Sequence, residues 1–473
     1  MVFNSFQFVV FFAIVYALYR SVPHRQQNWM LLLASYYFYG SWDWRFLALL
    51  LASTLIDYLC AIYIDSRDDP VQRKRALIVS LGFNLSMLGF FKYFNFFATS
   101  LQALLRDFGL QADYATLHIV LPIGISFYTF ITMSYVVDVY RRHITPCRNL
   151  ADFALFISYF PHLVAGPILR AEALLPQITQ PRTIRGVHVR EATWLILWGF
   201  FKKVFVADNL AKVANAVFHG QGHQGGAEVL LGVYAFAFQI YGDFSGYSDI
   251  ARGVSLLMGI ELNVNFRFPY FVRSATEFWR HWHISLSTWL RDYLYIPLGG
   301  SRGGPRRTKI NLALTMVLGG LWHGAAWTYV LWGCYQGALL MAFRTGQEWL
   351  ERSKTTFLDS RWAHALGIVL MFQLTCYGWL IFRAESAEQI VGMTASLVGG
   401  YDFTTPVAAS YLAQLVFFAS PLLLVHAFEA WRDDLMAVLT LPAPVRYSLC
   451  ALLFYATVLW GEFGGAEFIY FRF

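Results

Sequence analysis

Thirteen apolar runs punctuate the chain, near residues 2–19, 29–42, 45–64, 77–98, 117–139, 151–169, 192–208, 227–241, 246–260, 311–342, 364–383, 409–428 and 445–461. Polar and basic residues gather in the stretches between them. An apolar run of about 20 residues predicts a helix that spans a bilayer, because hydrocarbon offers unpaired backbone groups no water. The pattern therefore predicts an all-α, polytopic integral membrane protein. No long polar stretch separates two halves, so residues 1–473 are expected to form a single integral domain. Some runs are shorter than a span. "LFISYFPHLVAGPILR" (155–170) carries Pro161, Gly166 and Pro167. It predicts a segment that enters the bilayer and returns, which is tolerated only where protein buries it.

The loops carry an orientation signal. With the N-terminus outside, Arg20 and Arg25 fall in a cytoplasmic loop, as do "DSRDDPVQRKR" (65–75) and "RRHITPCR" (141–148). The loop at 101–118, with one arginine, falls outside. Keeping 151–169 re-entrant leaves "RAEALLPQITQPRTIRGVHVR" inside as well. Basic loops thus share one side, as cytoplasmic loops do. The opening "MVFNSFQFVVFFAIVYALYR" lacks a basic leader and a small-residue cleavage site, so it reads as a retained first helix. The longest polar stretch, 263–309, mixes Arg and Lys with Trp, Tyr and Phe. It predicts interfacial or re-entrant helices on the cytoplasmic side, ended by Pro297 and the glycines after it.

Composition agrees with the pattern. The chain is 57% hydrophobic and 14% charged, where a soluble protein carries about 25% charge. The net charge of +7 lies in short loops, so it signals membrane orientation rather than nucleic acid. The five cysteines form no CxxC pair, and most lie in apolar runs as small hydrophobes. No metal-ligand set, P-loop or GxGxxG is present.

Titratable groups inside apolar runs are the candidate chemistry. His323 sits in "GGLWHGAAWTYVLWG" (319–333), flanked by Gly319, Gly320 and Gly324. An embedded imidazole is either functional or a packed residue satisfied by a neighbouring hydroxyl or carbonyl. In "EFWRHWHISLSTWLRDYLYIPLGG" (277–300), His283 and Ser287 share a helix face, as do Trp282 and Trp289. Arg280 and Arg291 there could bind an anion, or the stretch could be an amphipathic helix at the lipid interface. Asp243 and Asp249, in "QIYGDFSGYSDIARG" (239–253), could hold a cation or proton, or cap helix ends in a tight turn. Asp138 at the end of a span, beside Arg141 and Arg142, reads as a local ion pair.

The combination is more specific than its parts. "FWRHWHISLSTWLRDYLYIPLGG", followed forty residues from His283 by "LWHGAAWTYVLWG", resembles the membrane-bound O-acyltransferase family. "LPIGISFYTF" (121–130), "YFPHLVAGPILR" (159–170), "FQIYGDFSGYSDIARG" (238–253) and the start "MVFNSFQFVVFF" extend the resemblance over most of the chain. Within the family it looks like the bacterial branch that includes the membrane subunit of alginate O-acetylation and the D-alanyl transfer protein for teichoic acids. The resemblance implies a ring of about 11–13 transmembrane and re-entrant helices around a central tunnel. His323 matches the buried histidine regarded as catalytic, and His283 the second position. Trp322, Trp282, Arg280, Arg291, Ser287, Asp243 and Gln336 become the expected substrate-binding residues. Gln336 is a departure: "WGCYQG" stands where close relatives often read "WGxYHG", which puts the acceptor in doubt.

The implied reaction is acyl transfer from a thioester to a hydroxyl, in the bacterial inner membrane. A histidine, with an ordinary pKa near ~6.5, suits the base. The expected donor is acetyl-CoA as substrate, with no bound cofactor. The expected partners are a periplasmic SGNH-type acetyltransferase and, indirectly, a polysaccharide. Two readings compete: a transporter using Asp243, Asp249, His281, His283 and His323 as a proton relay, and a membrane scaffold.

Overall fold

The computed structural model describes residues 1–110, 117, 119–164, 166–220, 225–353, 360–464 and 468–469. It is 77% helical, with no strand among the described residues. The first helices are α1 (Phe6–Ser21), α2 (His24–Asp43), α3 (Leu47–Asp65), α4 (Pro70–Leu88), α5 (Phe94–Asp107) and α6 (Ile125–Tyr140). Short pieces follow: α7 (Leu150–Ser158), α8 (Phe160–Leu163) and α9 (Ala171–Thr179). Then come α10 (Gly186–Phe200), α11 (Asp208–Phe218), α12 (Gly226–Leu257), α13 (Ala275–His281) and α14 (Ile284–Leu290). The chain continues with α15 (Gly304–His323), α16 (Trp327–Ser353), α17 (Arg361–Arg383), α18 (Ala387–Ser396), α19 (Pro406–Arg432) and α20 (Ala443–Trp460). π-Helical turns interrupt the helices at Gly89–Tyr93, Phe201–Ala207 and Arg291–Tyr295.

Among the described residues, five helical stretches are long and apolar enough to cross a membrane: His24–Asp65, Pro70–Asp107, Trp362–Arg383, Pro406–Arg432 and Ala443–Trp460. Their outer faces leave Leu33, Leu55, Leu424 and Leu452 exposed, as lipid contact requires. The segment 151–169 breaks at Tyr159 between α7 and α8 and is buried from Phe153 through Leu169, apart from Ala165, which lies outside the described residues.

Other expectations need correction. The predicted loop at 101–118 begins as helix α5; its residues 111–116 and 118 lie outside the described residues. The runs at 227–241 and 246–260 are one 32-residue helix, α12, so Asp243 and Asp249 do not cap a turn. The run at 311–342 is two helices, and the first, α15, already begins at Gly304. The local pairing read at Asp138 is not among these corrections: Asp138 lies 3.8 Å from nearby His143, and Arg142 also reaches Asp68 at 3.6 Å.

The chain forms two compact units, Met1–Ala192 with Ala251–Asn263, and Thr193–Ile250 with Val264–Phe473. In the first, α3, α4 and α6 are joined by a buried polar cluster. The Asp57 carboxylate accepts from Ser80 Oγ at 2.6 Å and from Asn84 Nδ2 at 2.9 Å. Asn84 Oδ1 in turn accepts from Ser53 Oγ at 2.8 Å. Such interhelical bonds join helices where water is absent.

Among the described residues of the second unit, two helix crossings set glycine against glycine. Gly199 of α10 faces Gly246 of α12, and a Cβ on either would lie 2.7 Å from the other's carbonyl oxygen. Gly320 of α15 faces Gly333 of α16, where a Cβ on Gly333 would lie 2.5 Å from Met316 O. Small residues at such crossings let backbones touch. Two lysines of the Phe201–Ala207 turn enter the interior. Lys203 Nζ lies 2.8 Å from both Asp208 Oδ1 and Asp243 Oδ1. Lys202 Nζ lies 2.6 Å from Asp249 Oδ2.

Gly333→Ala is expected to separate α15 from α16 and to destabilise the protein by about 1–3 kcal/mol through overpacking. A lowered melting temperature in detergent checks this. Lys203→Met should remove the shared cation of two buried carboxylates, a loss of about 3–5 kcal/mol. Adding Asp208→Asn should recover part of it in the same melting assay.

Candidate active site

Helix α13 starts at Ser274, whose Oγ accepts from Glu277 N at 3.2 Å, while Glu277 Oε2 accepts from Arg273 N at 2.8 Å. A side-chain cap of this kind fixes where a helix begins. The helix ends at Trp282, and the backbone turns sharply at His283, with φ 43° and ψ 54°. A left-handed conformation at a non-glycine residue costs about 1–3 kcal/mol and persists only where neighbours enforce it. Here the strand-like segment 265–267 does so. Ile284 N donates to Asn265 O at 3.0 Å, and Ser285 Oγ to Asn265 Oδ1 at 2.9 Å. Arg267 N donates to His281 O at 3.0 Å. The stretch 277–300 is therefore not one amphipathic helix. Ser287 instead steadies the turn, its N–H donating to His283 O at 3.0 Å and its Oγ to Trp282 O at 3.2 Å.

The turn aims His283 inward, where it is 1% exposed. Its ring meets Phe244 of α12 edge-on at 4.6 Å between centroids and Trp322 of α15 at 5.9 Å. His323 is the last residue of α15, and Gly324 follows in extended conformation. The break needs glycine, since a Cβ at Gly324 would lie 2.1 Å from the Tyr329 ring. His323 is 3% exposed and boxed by Trp322 at 5.1 Å, Trp332 at 5.1 Å and Phe382 at 5.4 Å. Helices α15, α16 and α17 thus each supply a wall.

The ring centroids of His283 and His323 lie 6.5 Å apart. Even with nitrogens facing each other, that exceeds a hydrogen bond's reach of about 3.2 Å. Trp322 touches both rings. Trp282 joins the cluster through Trp379, 4.7 Å away, which packs on Phe382 at 5.7 Å.

The structure thus brings His283, His323, Trp322 and Trp282 into one aromatic cluster. Other expected site residues lie in different settings. Arg280 is exposed, and Arg291 is exposed beside Asp292 at 2.7 Å. Asp243 is buried against Lys203 and also accepts from Ile469 N at 2.7 Å. Gln336 of α16 is 2% exposed and packs against Gly378 of α17. Asp249 pairs with Lys202, and His281 Nδ1 faces Glu277 O at 2.8 Å. Sequence reasoning missed Phe244, Trp379 and Phe382, which no pattern sets apart from other apolar positions. It also missed Lys202 and Lys203, although two lysines inside an apolar run are themselves a signal.

Residues 141–384 match the membrane-bound O-acyltransferase family, MBOAT. The probable alginate O-acetylase AlgI of Pseudomonas putida is 46% identical over 407 residues, covering 85% of this chain and 81% of that protein. The peptidoglycan O-acetyltransferase of Helicobacter pylori is 32% identical over 395 residues, covering 78% and 73%. The teichoic acid D-alanyltransferase of Streptococcus thermophilus is 31% identical over 284 residues, covering 55% and 68%. With this match and the apolar helices, the chain belongs to the membrane-bound O-acyltransferase family, as a multi-pass membrane enzyme that transfers acyl groups.

Proposed function

We propose that the protein moves acetyl groups from cytosolic acetyl-CoA through the bacterial inner membrane for O-acetylation of an exopolysaccharide, with His323 as general base. The observation that carries this reading is the placement of His323: buried at the break between α15 and α16, walled by aromatic rings, with His283 across a 6.5 Å gap between ring centroids. Acyl transfer needs a base for the incoming hydroxyl and a site that keeps water from the thioester. In the proposed step His323 takes the hydroxyl proton while the oxygen attacks the thioester carbonyl carbon. The C–S bond then breaks, and the departing thiolate recovers a proton from the imidazolium. No net proton is made or consumed. His283 would orient the thioester, with Trp322 and Trp282 as its apolar walls. Arg280 and Arg291 lie outside the buried cluster, where their charge suits attraction of an anionic donor.

The acetyl group and the exopolysaccharide come from the relatives named above, of which the alginate O-acetylase matches over most of its length. Gln336 stays a candidate acceptor-side residue through its buried amide. A periplasmic SGNH-type transferase would complete delivery to the polymer. The arginine-bearing loops that follow α1, α3 and α6 support a periplasmic N-terminus in this reading.

In purified wild type in lipid, acetyl-CoA should yield free CoA once partner and polysaccharide are supplied. His323→Ala, shown to be folded, is expected to lower the rate about 10²–10⁴-fold, as loss of a general base does. His283→Ala should lower it less if its role is orientation. An intact thioester recovered on the far side of the membrane would instead identify a transporter. A folded His323→Ala that matches wild type would remove the base assignment.

A further inference from the structure

Phe468 and Ile469 have no place in the chemistry above, yet they are 3% and 5% exposed. The Ile469 N–H donates to Asp243 Oδ2 at 2.7 Å, within the buried interior. The other oxygen of that carboxylate lies 2.8 Å from Lys203 Nζ, which also reaches Asp208 Oδ1 at 2.8 Å. The acceptor for Ile469 is therefore locked on its far side. One residue earlier, the Phe468 ring packs on Tyr247 at 4.6 Å and on Phe244 at 5.9 Å. Those two rings stand three apart on α12 and so share a face. Phe244 then meets His283 edge-on at 4.6 Å and Phe266 at 4.9 Å. Phe266 lies in the segment that holds the His283 turn.

We propose that Phe468 and Ile469 act as a positioning clamp for His283, with the Lys203–Asp243 pair as its anchor. The clamp rests on the assignment of His283 to the acyl-transfer site. The physical argument runs through Phe244. That ring is one wall of the His283 slot, and Phe468 backs it. Removing the Phe468 ring leaves a void into which Phe244 can rotate, so His283 gains freedom it otherwise lacks. A displacement of about 1 Å at a reacting group can slow a reaction about 10²-fold. Asp243 takes a different role from direct substrate contact: its two oxygens are engaged by Lys203 and Ile469. None of these residues touches the reacting atoms, so they are positioning residues.

The test uses the full chain in lipid with Phe468→Ala, Phe468→Leu and Ile469→Pro, the last removing the N–H that Asp243 accepts. Three readouts are taken: kcat and KM for CoA release, the rate at which diethyl pyrocarbonate labels His283 (by peptide mass spectrometry), and the melting temperature. Phe468→Ala and Ile469→Pro are expected to lower kcat at least tenfold with KM within twofold. His283 should be labelled at least threefold faster in both. Phe468→Leu, which refills much of the void, should recover most of both effects. Wild-type kcat and wild-type labelling in Phe468→Ala and Ile469→Pro would overturn the clamp. So would a loss of activity that only follows loss of folded protein, with His283 labelling unchanged in the folded fraction. If wild type itself releases no CoA, the acetyl-CoA reading fails, and the labelling rates alone decide the clamp.

Discussion

Several charged and polar side chains are buried inside this protein, and much of its architecture follows from the need to pair them. Asp57 is matched by hydroxyl and amide donors on neighbouring helices. Lys203 is shared by two carboxylates, and Lys202 stands against a third. A charge stripped of water without such partners would cost several kcal/mol or more. Apart from Lys203–Asp208, these pairings link residues at least twenty positions apart, so satisfying the charges also fixes which helices touch. In the second unit, α12 is tied by Asp243 and Asp249 to the lysines of the Phe201–Ala207 turn, and its next residue after Asp243 is the wall of His283.

The two histidines reach one cluster by two different backbone devices. His283 is turned inward by a left-handed residue between two short helices, enforced by hydrogen bonds from both sides of the turn to the 265–267 segment. His323 is delivered by the end of α15, where Gly324 lets the chain straighten before α16. The Gly320–Gly333 contact brings α15 and α16 together and so sets Trp332 against His323. A backbone held this firmly suits a site whose task is geometric, because positioning can supply much of a rate enhancement.

The class of fold was legible because apolar runs dominate the chain and hydrocarbon permits little besides helices there. The breaks were harder to see. The 311–342 run hides the end of α15, since Gly324, Ala325 and Ala326 are as apolar as their neighbours. Asp243 and Asp249 suggested a turn because acids inside a helix need partners, and those partners lie in another apolar run. His283 carries no glycine to announce its positive φ. Its nearness to His323 was available only through the family resemblance, since forty intervening residues carry no distance information. Trp322 and Trp282 were legible from the same motifs, whereas Phe382 and Phe244 owe their positions to packing alone.

The end of α15 also bears on the charge that the proposed reaction creates. When a base takes a hydroxyl proton, an imidazolium forms in a site with little water to solvate it. The aromatic walls of His323 supply apolar shape around it. His323 lies in the last turn of a 20-residue helix. The C-terminal end of a helix carries the negative end of its dipole, which favours a cation by about 0.3–1 kcal/mol at exposed sites and more where partly buried. A histidine at a helix C-terminus can thus remain in a dry box and still accept a transient charge. Placed at the start of a helix, with the same walls, it would face the opposite field. The break at Gly324 therefore does more than turn the chain: it ends α15, and with it the helix dipole, at the one group that must become positive in the proposed step.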